Sequence, residues 1–326
     1  MRLRLEPVDE YMHDLGPEPN FNESMYFNTF DDERGLGGFV RLGNRANEGN
    51  AEMTVCLYLP DGRVAFMFNR PRIEDNDSFA AGGLSFEVKE PFETLVARYD
   101  GTAVILDHPL EMADPKRAFT ENPHAACTID LTFGGAADPV GGEPEDAQER
   151  PGEEFARGHY EQLIAGAGTI TVGEEAWTVE GYGLRDHSWG PRYWQAPWYY
   201  RWINACFGPD LGFMGSRIAR REGEGMRGGF VWDGEGIHPA TDFRISTEWD
   251  DDDNPRRVSA TLTTADRTWA IEGEVVNLIP LRNRREGLIT RIAEGMTEWT
   301  VDDRTTLGIA EYLDQVIDGR PVGLDE

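Results

Sequence analysis

Gly181-Tyr-Gly-Leu-Arg-Asp-His-Ser-Trp-Gly-Pro-Arg192 is the stretch whose reading decides the fold. It sets two arginines, an acid, an imidazole, a hydroxyl and an indole in one short run, with glycine or proline near each end. Side chains alternate along a strand. With that period, Trp177, Val179, Gly181, Gly183, Arg185, His187 and Trp189 share one face, and Tyr182, Leu184, Asp186 and Ser188 the other. The stretch therefore reads as a strand that shows Arg185, His187 and Trp189 together, with Asp186 and Ser188 behind them. Gly190-Pro191 ends it, because proline cannot donate to a ladder. Tyr193, Trp194, Trp198, Tyr199, Tyr200 and Trp202 follow at once, and five of the nine tryptophans lie between Trp177 and Trp202. Large flat side chains beside charged ones predict a lined cavity.

Outward from this strand, period two continues in both directions. On the amino-terminal side, strands are expected at Met25–Phe30, Gly38–Leu42, Glu52–Leu59, Arg63–Asn69, Leu84–Glu90, Glu93–Tyr99, Ala103–Asp107, Ala126–Phe133, His159–Gly166 and Gly168–Val172. Pro60-Asp61-Gly62 and Tyr99-Asp100-Gly101-Thr102 carry the Asp-Gly signal of a tight hairpin. One short helix is expected around Val8–Leu15. Residues 134–158, rich in Gly, Pro, Glu and Asp, read as a solvated acidic loop. Beyond residue 195 eight more strands are expected, from Tyr199–Phe207 to Thr306–Leu313. Asp302-Asp303 turns the last hairpin, and Asp250–Asp253 reads as a solvated tip. Short strands at even spacing predict an all-β fold of two tandem lipocalin-like antiparallel β-barrels. The amino-terminal barrel covers residues 1–195 and includes the acidic loop; the carboxy-terminal barrel covers residues 196–326. Barrels of this size hold one small ligand.

Composition narrows the partners. The chain has 326 residues, 31 Lys and Arg against 60 Asp and Glu, and a net charge of −29. Only Lys89 and Lys116 are lysines. No basic patch exists to neutralise phosphates, so a nucleic-acid partner is not expected. Spread acidity of this size fits a protein adapted to high intracellular salt; a GC-rich genome, in which arginine displaces lysine, is the plainer reading. Neither a signal-peptide core nor a membrane-length apolar run is present, so a cytoplasmic protein without membrane insertion is expected. A homodimer is compatible with the sequence. Cys56, Cys127 and Cys206 are far apart and odd in number, which predicts three buried small hydrophobes rather than disulfides or a zinc knuckle.

The candidate chemistry is an Arg/Asp/His/Trp constellation. His187 titrates near neutrality and suits general acid–base work. Asp186 is a proton donor if burial raises its pKa. Arg185 and Arg192 suit a carboxylate or enolate-like oxygen. Trp189, Trp194, Trp198, Tyr200 and Trp202 suit an apolar or unsaturated substrate and stabilise developing positive charge. Glu294 and Glu311, on the closing hairpin, are additional substrate-site candidates. No histidine pair has helical metal spacing and no Cys/His cluster exists, so neither metal nor cofactor is expected. A purely structural origin leaves the same trace: an Arg–Asp pair, a satisfied histidine and packed indoles.

Asp186-His187-Ser188-Trp189-Gly190, at the end of a strand midway through an all-β chain, resembles the Asp-His-x-Trp-Gly signature of the carotenoid hydratase (hydroxyneurosporene synthase) superfamily. The fuller Gly-x-Arg-Asp-His-Ser-Trp-Gly-x-Arg, with the Glu294-Gly-Met-Thr and Glu311-Tyr-Leu-Asp segments, is similar to a bacterial and archaeal branch. The resemblance implies two lipocalin-like barrels with a cavity in or between them. It implies cofactor-independent hydration, isomerisation or cyclisation of a hydrophobic unsaturated small molecule: a terpenoid, polyene or fatty-acyl compound. It places function on His187 and Trp189, with Asp186 alongside. The separate acid that the hydratases use has no counterpart among residues 203–219 except Asp210. The competing reading is a non-catalytic, lipocalin-like carrier of lipophilic ligands.

Overall fold

The computed structural model describes residues 3–145, 156–285 and 287–325. Residues 146–155 of the expected acidic loop lie outside the described residues, and its earlier part is not all loop: Val140–Pro144 is a strand paired with Gly158–Val172. The protein is nearly all β, with two large antiparallel sheets. It packs as two compact units. One comprises Met1–Leu59, Val64–Leu106 and Asn122–Tyr193; the other comprises Pro60–Arg63, Asp107–Glu121 and Trp194–Glu326.

Eight strands make the frame of the first unit: β1 (Phe21–Asp31), β2 (Leu36–Arg45), β3 (Asn50–Tyr58), β4 (Val64–Asn69), β5 (Thr94–Leu106), β6 (His124–Gly135), β7 (Gly158–Val172) and β8 (Glu175–Pro191). The ladder runs β7-β8-β1-β2-β3-β4-β5, and β6 pairs with both β5 and β7. The pairings thus return on themselves, so each of these strands has a partner on both sides. Period two then divides every strand into an inner and an outer set. Met25, Phe27, Val40, Leu42, Val55, Leu95, Ile129, Leu131, Phe133 and Ile164 belong to one continuous apolar core.

Three sequence expectations are corrected here. Asp100-Gly101 is not a hairpin turn: β5 runs unbroken through it, Asp100 paired with Thr128 and Gly101 with Cys127. The Asp-Gly signal is local, whereas a partner strand on each side holds the chain extended. Likewise Gly166 and Gly168 do not divide two strands, because β7 is continuous. Gly168 has φ +154, and an added Cβ would overlap the Asp130 carbonyl oxygen. Glycine there lets two ladders pass closely. The expected helix around Val8–Leu15 is a single 3-10 turn at Pro7–Glu10. The hairpins at Asp61-Gly62 and Asp302-Asp303 stand as read.

The second unit carries β9 (Tyr199–Cys206), β10 (Gly212–Ala219), β11 (Met226–Trp232), β12 (Asp242–Trp249), β13 (Pro255–Thr263), β14 (Thr268–Arg285), β15 (Leu288–Val301) and β16 (Arg304–Ile317). Their order is β11-β10-β9-β16-β15-β14-β13-β12. Ile203, Phe213, Phe243, Leu262, Ile271, Trp299 and Tyr312 fill its core. Cys56, Cys127 and Cys206 are free and buried. Burial pushes the thiols of Cys127 and Cys206 up to about 12, so they stay protonated and inert.

Candidate functional site

Strand β8 separates two clusters. Arg185, His187 and Trp189 face inward together, as the alternation requires, and Tyr160 and Gln162 of β7 face them. Arg185 donates from Nη1 and Nη2 to the two Glu10 oxygens at 2.7 Å each. It also donates to Gln162 Oε1 from Nε at 2.9 Å and from Nη2 at 2.6 Å. This is the bidentate fork that suits guanidinium and carboxylate. Tyr160 donates its hydroxyl to Glu10 Oε1 at 2.6 Å and lies 3.4 Å from His187 Nδ1. His187 Nε2 is 2.6 Å from Glu23 Oε1, and His13 Nδ1 is 2.8 Å from the same oxygen. A chain of buried polar groups therefore runs from Gln162 to His13.

Charge explains why the chain holds. Asp9, Glu10 and Glu23 are buried carboxylates, and the Arg185 guanidinium is sealed in with them. Burial would raise Glu23, but hydrogen bonds from His13 and His187 outweigh it and hold the carboxyl down to about 2. Burial would lower His13, but Glu23 and then Asp9 outweigh it and raise the imidazole. His187 itself is fully buried. The rings of His13, Phe79, Tyr160 and Trp189 surround it at 5.3 to 5.6 Å between centroids. His13 stacks on Trp189 at 4.0 Å and keeps 20% of its side chain exposed. Among the described residues, His13, Glu23 and His187 form a group whose nitrogen and oxygen atoms lie within 4.8 Å of one another. Such atoms are of the kind that hold zinc or iron. Here two imidazoles already meet the Glu23 carboxylate.

The outer side of β8 is different. Asp186 stands opposite Glu161 of β7 on one side and Tyr26 of β1 on the other. Ser188 stands opposite His159 and Ser24. Arg41 and Gly43 of β2 continue these two rows across β1. Arg192 donates from Nη2 to Ser188 Oγ at 2.8 Å. Its position is pinned by backbone: Arg192 N donates to Asn20 O at 3.1 Å, and Asn20 Nδ2 to Arg192 O at 3.0 Å. His159 keeps 45% of its side chain accessible, yet burial pushes its pKa down, against the pull of Asp186. His159, Glu161 and Asp186 put an imidazole and two carboxyl groups on adjacent rungs.

In the second unit, Glu294 of β15 faces Glu311 of β16, and Glu311 faces Trp202 of β9. The Tyr200 hydroxyl donates to Glu311 Oε1. Tyr200, Trp202, Glu294 and Glu311 thus share one face, while Arg201, Ile203 and Tyr312 face the core. Trp198 precedes β9 and lies under the Arg221 guanidinium at 5.3 Å. The Trp194 carbonyl accepts from Gln315 Nε2 at 3.1 Å. The sequence reading did not find Glu10, His13, Glu23, Tyr160, Gln162, His159 or Glu161. Period two in β1 and β7 put the last five on definite faces, but only the register shows that those faces meet β8.

An all-β protein whose first unit is a lipocalin-like ring, with a polar cluster on either side of one strand, is the class that fold and site define. The chain belongs to the family described as "Domain of unknown function (DUF7064)", whose model matches residues 6–316. No curated protein sequence matches it. Among solved structures it is similar to a Nitrosomonas europaea protein given the name AttH, with 14% identity, TM-score 0.59, and coverage of 95% of this chain and 96% of that one. It is also similar to CghA bound to Sch210972, with 14% identity, TM-score 0.55 and coverage of 98% and 97%. Kievitone hydratase from Nectria haematococca matches with 8% identity, TM-score 0.56 and coverage of 95% and 92%. At these identities the likeness is one of fold.

Proposed function

We propose that this chain is a hydratase-, isomerase- or cyclase-type enzyme that works without a cofactor on a hydrophobic unsaturated small molecule: a terpenoid, polyene or fatty-acyl compound. The observation that carries the reading is the cluster of Asp186, Glu161 and His159 on the outer rungs of β7 and β8, where His159 is exposed, Asp186 half-buried and Glu161 buried. Adding water to an alkene, or moving its double bond, needs a proton delivered to one carbon and another proton removed. A carboxyl group and a neutral imidazole on adjacent rungs supply both. In hydration, Asp186 gives its proton to the alkene, water attacks the cation, and His159 takes the proton that water loses. The fold shared with kievitone hydratase and CghA supports this class of chemistry.

Arg185, His187 and Trp189 act in this reading as positioning residues. Both His187 nitrogens are engaged and the ring is sealed. The inner network fixes β8, and so fixes where Asp186 points. Arg192 binds substrate on the same outer face. The second unit has substrate-binding candidates of its own, Trp194, Trp198, Tyr200, Trp202, Glu294 and Glu311, taken by themselves.

The test starts from the small molecule that co-purifies with the protein, identified by mass spectrometry. Asp186→Asn is expected to lower its turnover by about 10²- to 10⁴-fold with the melting temperature unchanged. His187→Gln is expected to lower the melting temperature first. Full turnover by Asp186→Asn would remove the outer-face mechanism. Loss of turnover in His187→Gln at an unchanged melting temperature would move the chemistry to the inner cluster. A second reading, a non-catalytic carrier, is favoured by the complete engagement of His187 and Arg185; a bound molecule that wild-type protein never converts would establish it.

A further inference from the structure

We propose that the outer face of the first unit holds a carboxylate-binding site, built by Asn22, Arg41, Arg45 and Arg192 around Gly43, and that the substrate is therefore an amphiphilic carboxylic acid. The second half of this proposal rests on the function proposed above; the binding site does not.

The site is assembled by register. Glu23 pairs with Asn44, so Asn22 and Arg45 flank that rung at the ends of β1 and β2. Asn22 also pairs with Gly190 of β8, two residues before Arg192. Gly43 lies between them on β2, opposite Ser24. A Cβ on Gly43 would stand 2.8 Å from Arg41 Nη2 and 2.9 Å from Asn22 Oδ1. The guanidinium and the carboxamide thus converge over Gly43 and take up the space that a side chain there would need.

Unmet hydrogen-bonding capacity points to a ligand. Asn22 and Arg45 are each 1% exposed. Among the described residues, neither the nitrogen nor the oxygen of the Asn22 amide has a partner, and Arg45 Nε and Nη1 have none either. The one Arg45 bond is from Nη2 to Glu48 Oε1 at 2.6 Å. Buried donors are almost always satisfied, and leaving a charged one unmet is especially costly. Burial, and then the Arg41 and Arg45 guanidiniums, push Arg192 down to about 9. Glu52, the carboxylate beside Arg41 at 3.7 Å, is shared with Arg70 at 3.1 Å.

A carboxylate matches these groups. Its two oxygens can take the free Arg45 donors and the Asn22 amide nitrogen together. A single negative charge suits a site that already contains Glu48, Glu52 and Asp186, where a dianion would meet repulsion. The ligand's chain would then extend along the outer face toward the rungs of Asp186 and Ser188.

The test is equilibrium binding followed by tryptophan fluorescence at fixed ionic strength, with decanoate, methyl decanoate, acetate and inorganic phosphate as probes. Decanoate is expected to bind wild-type protein, and its methyl ester to bind at least about tenfold more weakly. Arg45→Gln is expected to remove most of that acid–ester difference while leaving ester binding unchanged. Asn22→Leu, which keeps every arginine, is expected to do so in part. Equal binding of acid and ester to wild type overturns the site. So does an acid–ester difference that survives both Arg45→Gln and Asn22→Leu. Acetate or phosphate binding as tightly as decanoate overturns the amphiphile. Selective decanoate binding together with full turnover by Asp186→Asn keeps this site and removes the mechanism proposed above.

Discussion

Glu23 shows what one residue can carry. Its carboxyl is held down to about 2, against about 4.5 for the ordinary group, by His13 and His187. A carboxyl depressed on folding adds stability that is fully present above the unfolded pKa and is lost as pH falls through the folded one. The window is therefore roughly pH 4.5 down to pH 2, and the amount is roughly 3 kcal/mol. His13 works in the opposite sense: its raised pKa adds stability below about pH 6.5 that is lost as pH rises past the folded value. Urea titrations across pH should show unfolding free energy falling steeply below about pH 4.5. In Glu23→Gln that acid limb should flatten. An unchanged limb would mean that the carboxylate is not held by its two imidazoles.

At the scale of the element, the two long central strands of the first unit are continuous because both of their edges are paired. At Gly168 β7 lies so close to β6 that an added Cβ would overlap the Asp130 carbonyl oxygen. Gly168→Ala should cost about 2–4 kcal/mol, since a strained backbone and a blocked ladder both oppose it. Thermal melting checks this, with Gly173→Ala, at φ +62 in the β7–β8 turn and against only the Ala125 Cβ at 3.7 Å, as the milder comparison. The same strands show what was legible in advance. The alternation that put Arg185, His187 and Trp189 on one face needed only the local sequence, and β8 obeys it. The Asp100-Gly101 turn was misread because its signal is local and the pairing that overrides it is not. Glu10 and His13 were missed for a related reason. They sit in a nearly irregular segment without periodicity, and their partners, Arg185 and Glu23, are fixed by tertiary contacts alone.

For the whole molecule, charge dominates. A net charge of −29 makes the native chain repel itself. Surface pairs such as Arg267–Asp302 and Arg117–Glu121 are exposed on both partners and add little. Salt weakens those pairs and the repulsion alike, but the acidic excess is larger. Raising ionic strength from about 0.1 M to about 1 M shortens screening from about 10 Å to about 3 Å. Calorimetry should then record a melting temperature that rises with potassium chloride; a fall would mean that the ion pairs outweigh the repulsion. The excess was visible in the composition, and the all-β class in the even spacing of short alternating strands. The ring of pairings was not, because closure depends on β6 meeting β5 and β7 at once.

That closure also sets a clock on biosynthesis. Strand β1 needs β8 as its neighbour, and residues 175–191 leave the ribosome long after residues 21–31. At bacterial-like rates of 5–20 residues per second, the first strand waits roughly ten to thirty seconds with one flank open. A nascent chain of this protein is consequently a client for holding factors until its eighth strand arrives, and slowed translation between the two should show as lost yield rather than altered activity.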